Sequence, residues 1–162
     1  MTTIVWDGKT LAADGRMTTF NTIAEENRAK IFIDTKSELR GSTVICYALA
    51  GSADMTHRVG TWIAEGCPHD IDWKDAHFEL IIITAGSAYV YSDESNDILE
   101  IFHATTLGSG GDFAKVGLHM GKDARACVKL AGKMDMFTGG IGTHINCCAK
   151  KLTLKEFEVC GS

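Results

Sequence analysis

A chain of 162 residues with 45% apolar and 23% charged side chains has the composition of a single globular domain, expected here over residues 1–162. Its net charge of −5 comes without a basic stripe, which argues against nucleic acid as a partner. No apolar run of about 18 residues suits a membrane span and no basic-then-apolar leader opens the sequence, so the expected location is the cytoplasm. The six cysteines form no C-x-x-C pair and read as reduced thiols. No linker, repeat or low-complexity tract divides the chain.

The first elements are strands. Thr3–Trp6 and Thr10–Ala13 flank Asp7-Gly8, a hairpin signal because Gly tolerates positive φ in the turn. Lys30–Ile33 and Ser42–Ala50 read as further strands. Ser52 is then placed to cap a helix, with Met55, Val59, Trp62 and Ile63 on one face. Residues 66–75 read as loop. Phe78–Thr84, Ala88–Tyr91 and Ile98–His103 are strands, the first two joined by the turn at Ala85-Gly86-Ser87. A helix over Gly111–Met120 precedes one capped by Asp123, whose Cys127, Leu130, Ala131 and Met134 share a face. Strands at Ile141–Cys147 and Leu152–Val159 close the chain. The connections between neighbouring strands are short, so the sheets should be antiparallel and the class α+β.

Residues 67–77 concentrate Cys67, His69, Asp70, Asp72, Asp75 and His77. Their spacing fits no closed zinc site, so the segment reads as a solvated polar loop, and no metal or cofactor is expected. Gly8-Lys9-Thr10 lacks the earlier glycine of a phosphate loop and sits in a hairpin rather than before a helix.

The second residue carries the chemistry. Removal of Met1 would expose Thr2 as the N-terminus, placing a hydroxyl nucleophile and an amine base on one residue. Other segments follow in order: TTIV, then KTLAADGR, NRAK before a strand, AGSAD at a strand–helix junction, and GSGGDFA before a helix. ACVKLAGKMDMFTGGIGTHI completes the series. Their order and spacing, over residues 2–147, resemble the N-terminal-nucleophile peptidases of the proteasome β-subunit type. The likeness is greatest to HslV and the small proteasome-like proteins of bacteria and phages.

That resemblance implies a four-layer α/β/β/α sandwich, two antiparallel sheets flanked by helices. It also implies a threonine endopeptidase acting on peptides or unfolded protein inside stacked homo-oligomeric rings, with an ATP-driven AAA+ unfoldase as possible partner. Thr2 matches the nucleophile, and Asp14 and Lys30 match the acidic residue and lysine that support it. Ser109 matches a serine near the terminal amine, and Asp135 an aspartate whose companion serine is here Thr138. Ala50 or Gly51 would give the oxyanion N–H, while Ala48 and Ser52 would line the substrate pocket. The chain is shorter than its relatives around residues 65–77, where they carry a longer helix. Two alternatives stay open: a ring-forming protein without activity, and a non-proteolytic amidase on the same fold.

Overall fold

The computed structural model describes residues 2–160, so the fate of Met1 lies outside the described residues. It separates into two compact units, Met1–Ile31 with His103–Ser162, and Phe32–Phe102.

In the first unit, β1 (Ile4–Trp6) and β2 (Thr10–Ala13) form the hairpin expected from Asp7-Gly8. Asp7 Oδ1 accepts the amides of Lys9 (3.0 Å) and Thr10 (2.7 Å), and Gly8 takes φ +98° at the bend. β3 (Met17–Thr19) and β4 (Thr22–Glu25) follow as a separate two-stranded ribbon. β5 (Ile31–Ile33) lies where the chain passes into the second unit.

The second unit holds β6 (Glu38–Leu39), β7 (Ser42–Gly51), a 3-10 turn (Ala53–Met55), α1 (Thr56–Ala64), β8 (Phe78–Thr84), β9 (Ala88–Ser92) and β10 (Leu99–Ile101). The sheet order is β10-β9-β8-β7-β5, with β7–β8, β8–β9 and β9–β10 antiparallel. Met55, Val59, Trp62 and Ile63 are all buried, as their spacing predicts. Ser52 does not cap: its hydroxyl reaches the His77 carbonyl at 3.5 Å, and the 3-10 turn precedes the α-helix. The loop after α1 is solvated at His69, Asp70, Asp72, Asp75 and His77, as expected, but two of its side chains turn inward. Cys67 and Trp73 are buried, and Trp73 donates to the Tyr91 hydroxyl at 2.6 Å. Trp73 also meets Trp62 and Phe78 edge-on, so a short polar-looking loop closes the apolar cluster over α1. Burial without a cationic neighbour pushes the Cys67 thiol up to about 12, leaving it inert.

Back in the first unit are β11 (Thr105–Leu107), α2 (Gly111–His119), α3 (Ala124–Met134), β12 (Ile141–Asn146) and β13 (Lys155–Glu158). The sheet order is β11-β1-β2-β12-β13, antiparallel throughout. Asp123 caps α3 as expected, accepting Ala126 N at 2.8 Å. The buried stripe of α3 is Ala124, Cys127, Val128 and Ala131, not the face ending at Met134, which is exposed. Small side chains let α3 lie close to Val5, Ala12 and Phe157 of the sheet, which pushes the long Met134 out to the rim. The last strand is also shorter than expected: Leu152 and Leu154 precede it, and only Phe157 and Val159 enter the apolar cluster.

Candidate active site

Thr3 and Asp14 sit one residue beyond the ends of β1 and β2, where the hairpin ladder continues: Asp14 N donates to Thr3 O at 3.1 Å. The Asp14 side chain then turns back, and its Oδ1 accepts Thr3 N at 2.9 Å. The same oxygen accepts from Lys30 Nζ at 2.6 Å, while Oδ2 accepts Gly139 N at 3.1 Å. Lys30 Nζ also donates to the Arg16 carbonyl at 2.7 Å. The Asp14 side chain is fully buried and that of Lys30 is 7% exposed. A carboxylate so far from water persists because two amides and one ammonium share its charge. Burial pulls the Lys30 proton affinity below the ordinary lysine value of 10.5, and the Asp14 charge pulls it partly back.

A second chain of contacts starts at Thr3. Its hydroxyl lies 2.6 Å from that of Thr138, which donates to Asp135 Oδ2 at 2.6 Å. Thr138 Oγ has one proton and gives it to the carboxylate, so Thr3 is the donor between the two hydroxyls. Asp135 Oδ1 accepts Phe137 N at 3.1 Å and so shapes the 135–138 turn. Arg16 braces this turn, donating to the Met136 carbonyl at 2.6 Å while paired to Glu26 at 3.2 Å. Gly110 passes directly over these groups. A Cβ there would collide with the hydroxyls of Thr3 and Thr138 and crowd Asp135, so only glycine leaves room for the relay.

The first unit thus brings Asp14 and Lys30 together, and Asp135 and Thr138 together, both around Thr3. Thr2 is buried, but its hydroxyl has no hydrogen-bond partner among the described residues. Ser109 is exposed, and its hydroxyl bonds to none of the described residues. Sequence reasoning missed Thr3, Gly110 and Gly139. The signals were the two Gly-Gly steps, which suit close backbone approach, and the Thr-Thr pair, which sets a second hydroxyl beside that of Thr2.

Ala48, Ala50, Gly51 and Ser52 belong to the second unit. Ala48 and Ala50 are buried within β7, while Gly51 ends it with φ +123° and is exposed. Ser52 N donates to His77 O at 3.2 Å. Alternation in an antiparallel pair then directs the Ala50 amide into the β7–β8 ladder and the Gly51 amide away from β8.

No protein-family model matches the chain, and no curated protein matches its sequence. Among solved structures, it is similar to eukaryotic HslV from Trypanosoma brucei. The TM-score is 0.60 at 17% identity, over 97% of this chain and 98% of that one. Likeness at that identity concerns the fold: mixed α/β, with three α-helices among the described residues and antiparallel sheets.

Proposed function

We propose that this chain is a threonine peptidase of the N-terminal-nucleophile class, with Thr2 as nucleophile once Met1 has been removed. One observation carries the reading. A buried Asp14–Lys30 pair is tied by a direct hydrogen bond to the amide of the residue after Thr2. A globular fold has little structural reason to bury a carboxylate and an ammonium there, since apolar side chains of the same volume stabilise as well or better. Buried, paired ionisable groups are a feature of reaction sites.

The proposed chemistry follows from these groups. The Thr2 hydroxyl attacks a peptide carbonyl, and its proton passes to the Thr2 α-amine through a water. A model α-amine has a pKa of about 7.7–8, so a neutral fraction is present near pH 7.5. Lys30 stabilises negative charge growing on the hydroxyl oxygen, and Asp14 fixes Lys30. Asp135 and Thr138 hold Thr3, and through it the nucleophile's backbone; Ser109 serves the terminal amine. The Gly51 amide is the favoured oxyanion donor over Ala50, whose N–H the ladder takes. Ala48 and Ser52 leave a roomy pocket for the substrate side chain. The adduct then collapses: the scissile C–N bond breaks, the α-ammonium returns its proton to the departing amine, and water cleaves the resulting ester, with no cofactor.

The HslV-like fold supports the remaining parts of the reading: a four-layer α/β/β/α sandwich, assembly into rings with the sites inside, and an unfoldase partner. Among the described residues no helix is long and apolar enough to cross a membrane. The second reading is an inert ring-forming protein on the same fold.

Intact mass spectrometry separates the two. Protein lacking Met1 should gain the mass of a threonine-directed epoxyketone, which bonds to hydroxyl and amine together. Thr2→Ala, and protein retaining Met1, should stay unlabelled. Processed wild-type protein that neither labels nor cleaves short peptides at pH 6–9 would mean that the fold serves assembly alone.

A further inference from the structure

The last turn of the chain builds a cavity that the proposed peptidase chemistry does not use. β12 and β13 pair antiparallel with His144 opposite Lys155, and His144 opposite Ala12 on the other side. The face shared by Ala12 and Phe157 is the one α3 covers. Alternation puts Gly142, His144 and Asn146 of β12, and Lys155 and Phe157 of β13, on that face. Glu156 and Glu158 fall on the opposite face. Lys155 therefore stands, exposed, at the edge of the face that α3 packs against, and both glutamates lie on the other face.

Between the strands, residues 147–154 fold back and leave a cavity of about 200 Å³ lined by His144, Asn146, Ala149, Lys151, Thr153 and Lys155. The lining has two ammonium groups, an imidazole, an amide and a hydroxyl, and no carboxylate. Arg125, in the first turn of α3, adds to the positive field felt by His144. Among the described residues, no carboxylate lies within ion-pair distance of Lys151, Lys155 or Arg125. Uncompensated cations around a concave, partly apolar wall are the converse of the Asp14–Lys30 arrangement, where every charge is met. They focus field into the cavity and favour an anion there.

We propose that this cavity is a binding site for a phosphate dianion, free or as the head of a small phosphomonoester. Lys151 and Lys155 supply charge, Asn146 and Thr153 supply hydrogen bonds, and His144 forms the wall between them. The size sets the class. Pockets that enclose drug-sized ligands begin at about 300 Å³; this smaller, open-sided cleft seats a tetrahedral oxyanion and leaves any substituent facing solvent. The chain's net charge of −5 argues against an extended polyanion, which would meet repulsion beyond the cavity rim.

His144 is the reporter. Burial, Arg125 and Lys155 hold its proton affinity below the ordinary histidine value, with Asp123 opposing. A bound dianion must raise it. The experiment follows the His144 ring resonances by NMR while inorganic phosphate, glycerol phosphate or chloride is added at constant ionic strength. Phosphate or its ester should shift His144 saturably and move its titration to higher pH, and chloride should do neither. Lys151→Gln with Lys155→Gln should weaken binding by about tenfold or more, with the other histidine resonances unmoved to certify the fold. Saturation by both probes, or by the free ion alone, supports a phosphate site; saturation by the ester alone assigns the ester. No saturable shift, or one that survives the double substitution, overturns the proposal.

Discussion

Lys30 is where the candidate site and the stability of the fold meet. Its 2.6 Å contact to Asp14 is buried on both sides, so truncation strands a carboxylate inside the protein. Breaking such a pair from one side costs about 3–5 kcal/mol, eased here by the two amides that Asp14 keeps. Lys30→Ala should therefore lower the melting temperature by roughly 5–15 °C in a chain of this size, and loss of turnover in that variant alone proves little. Lys30→Arg is the sharper test. It retains the positive charge beside Asp14, yet its wide fork cannot reproduce the seat an ammonium takes between Asp14 and the Arg16 carbonyl. Turnover should fall at least a hundredfold while the melting curve stays cooperative. A folded Lys30→Arg protein with normal peptidase activity would remove Lys30 from the mechanism. The pH dependence has a definite sign. With the folded proton affinity lowered, the unfolded chain binds the proton more tightly, so this group's favourable contribution is complete above 10.5 and lost as pH falls toward the folded value.

At the scale of elements, Asp7 ties two of them together. Its Oδ1 closes the β1–β2 turn, and its Oδ2 accepts Ala124 N at 2.9 Å, the first amide of α3. Asp123 caps the same helix through a single bond to Ala126 N. Asp123→Ala should cost about 1 kcal/mol, the usual value of an N-cap. Asp7→Ala removes turn and helix contacts at once and should cost roughly twice as much. Urea unfolding of the two variants checks the order; equal or reversed losses would mean that the turn and helix are held by packing alone. The Asp-Gly turn and the Asp123 cap were both legible in the sequence, because each is a local pattern with a local cause. The second role of Asp7 was not, since it depends on residue 124 folding back 117 positions away. The strand at Thr105–Leu107 was missed for the same reason. Three residues hold no periodicity, and their pairing with Ile4–Trp6 is set by tertiary register. Likewise Asp14 and Lys30 were readable through the resemblance, whereas the Thr3–Thr138–Asp135 relay needed coordinates to show which threonine it serves.

The whole molecule leaves apolar surface in a pattern. On α2, Phe113, Val116 and Met120 fall at i, i+3 and i+7 and are 38%, 53% and 67% exposed. The opposite side of that helix is Gly111, Ala114 and Gly117, all buried, with Gly117 so near Cys127 of α3 that a Cβ would press on its sulfur. α2 is thus bound to α3 through its smallest residues and turns its largest apolar ones outward. A helix facing water alone carries polar residues on its outer stripe, and contiguous exposed apolar side chains mark contact surfaces. The proposed ring assembly gives this stripe a subunit to cover it. Light scattering of the wild-type protein at micromolar concentration should report a mass of many subunits. Val116→Glu, placed mid-stripe, would set a charge into the contact and should lower that mass to single or few subunits, with circular dichroism unchanged because the side chain touches no interior cluster. Epoxyketone labelling of the dissociated variant then separates fold from assembly: retained labelling locates the site within one subunit, and lost labelling makes it depend on neighbours. A wild-type protein that is monomeric at these concentrations would end the chambered reading.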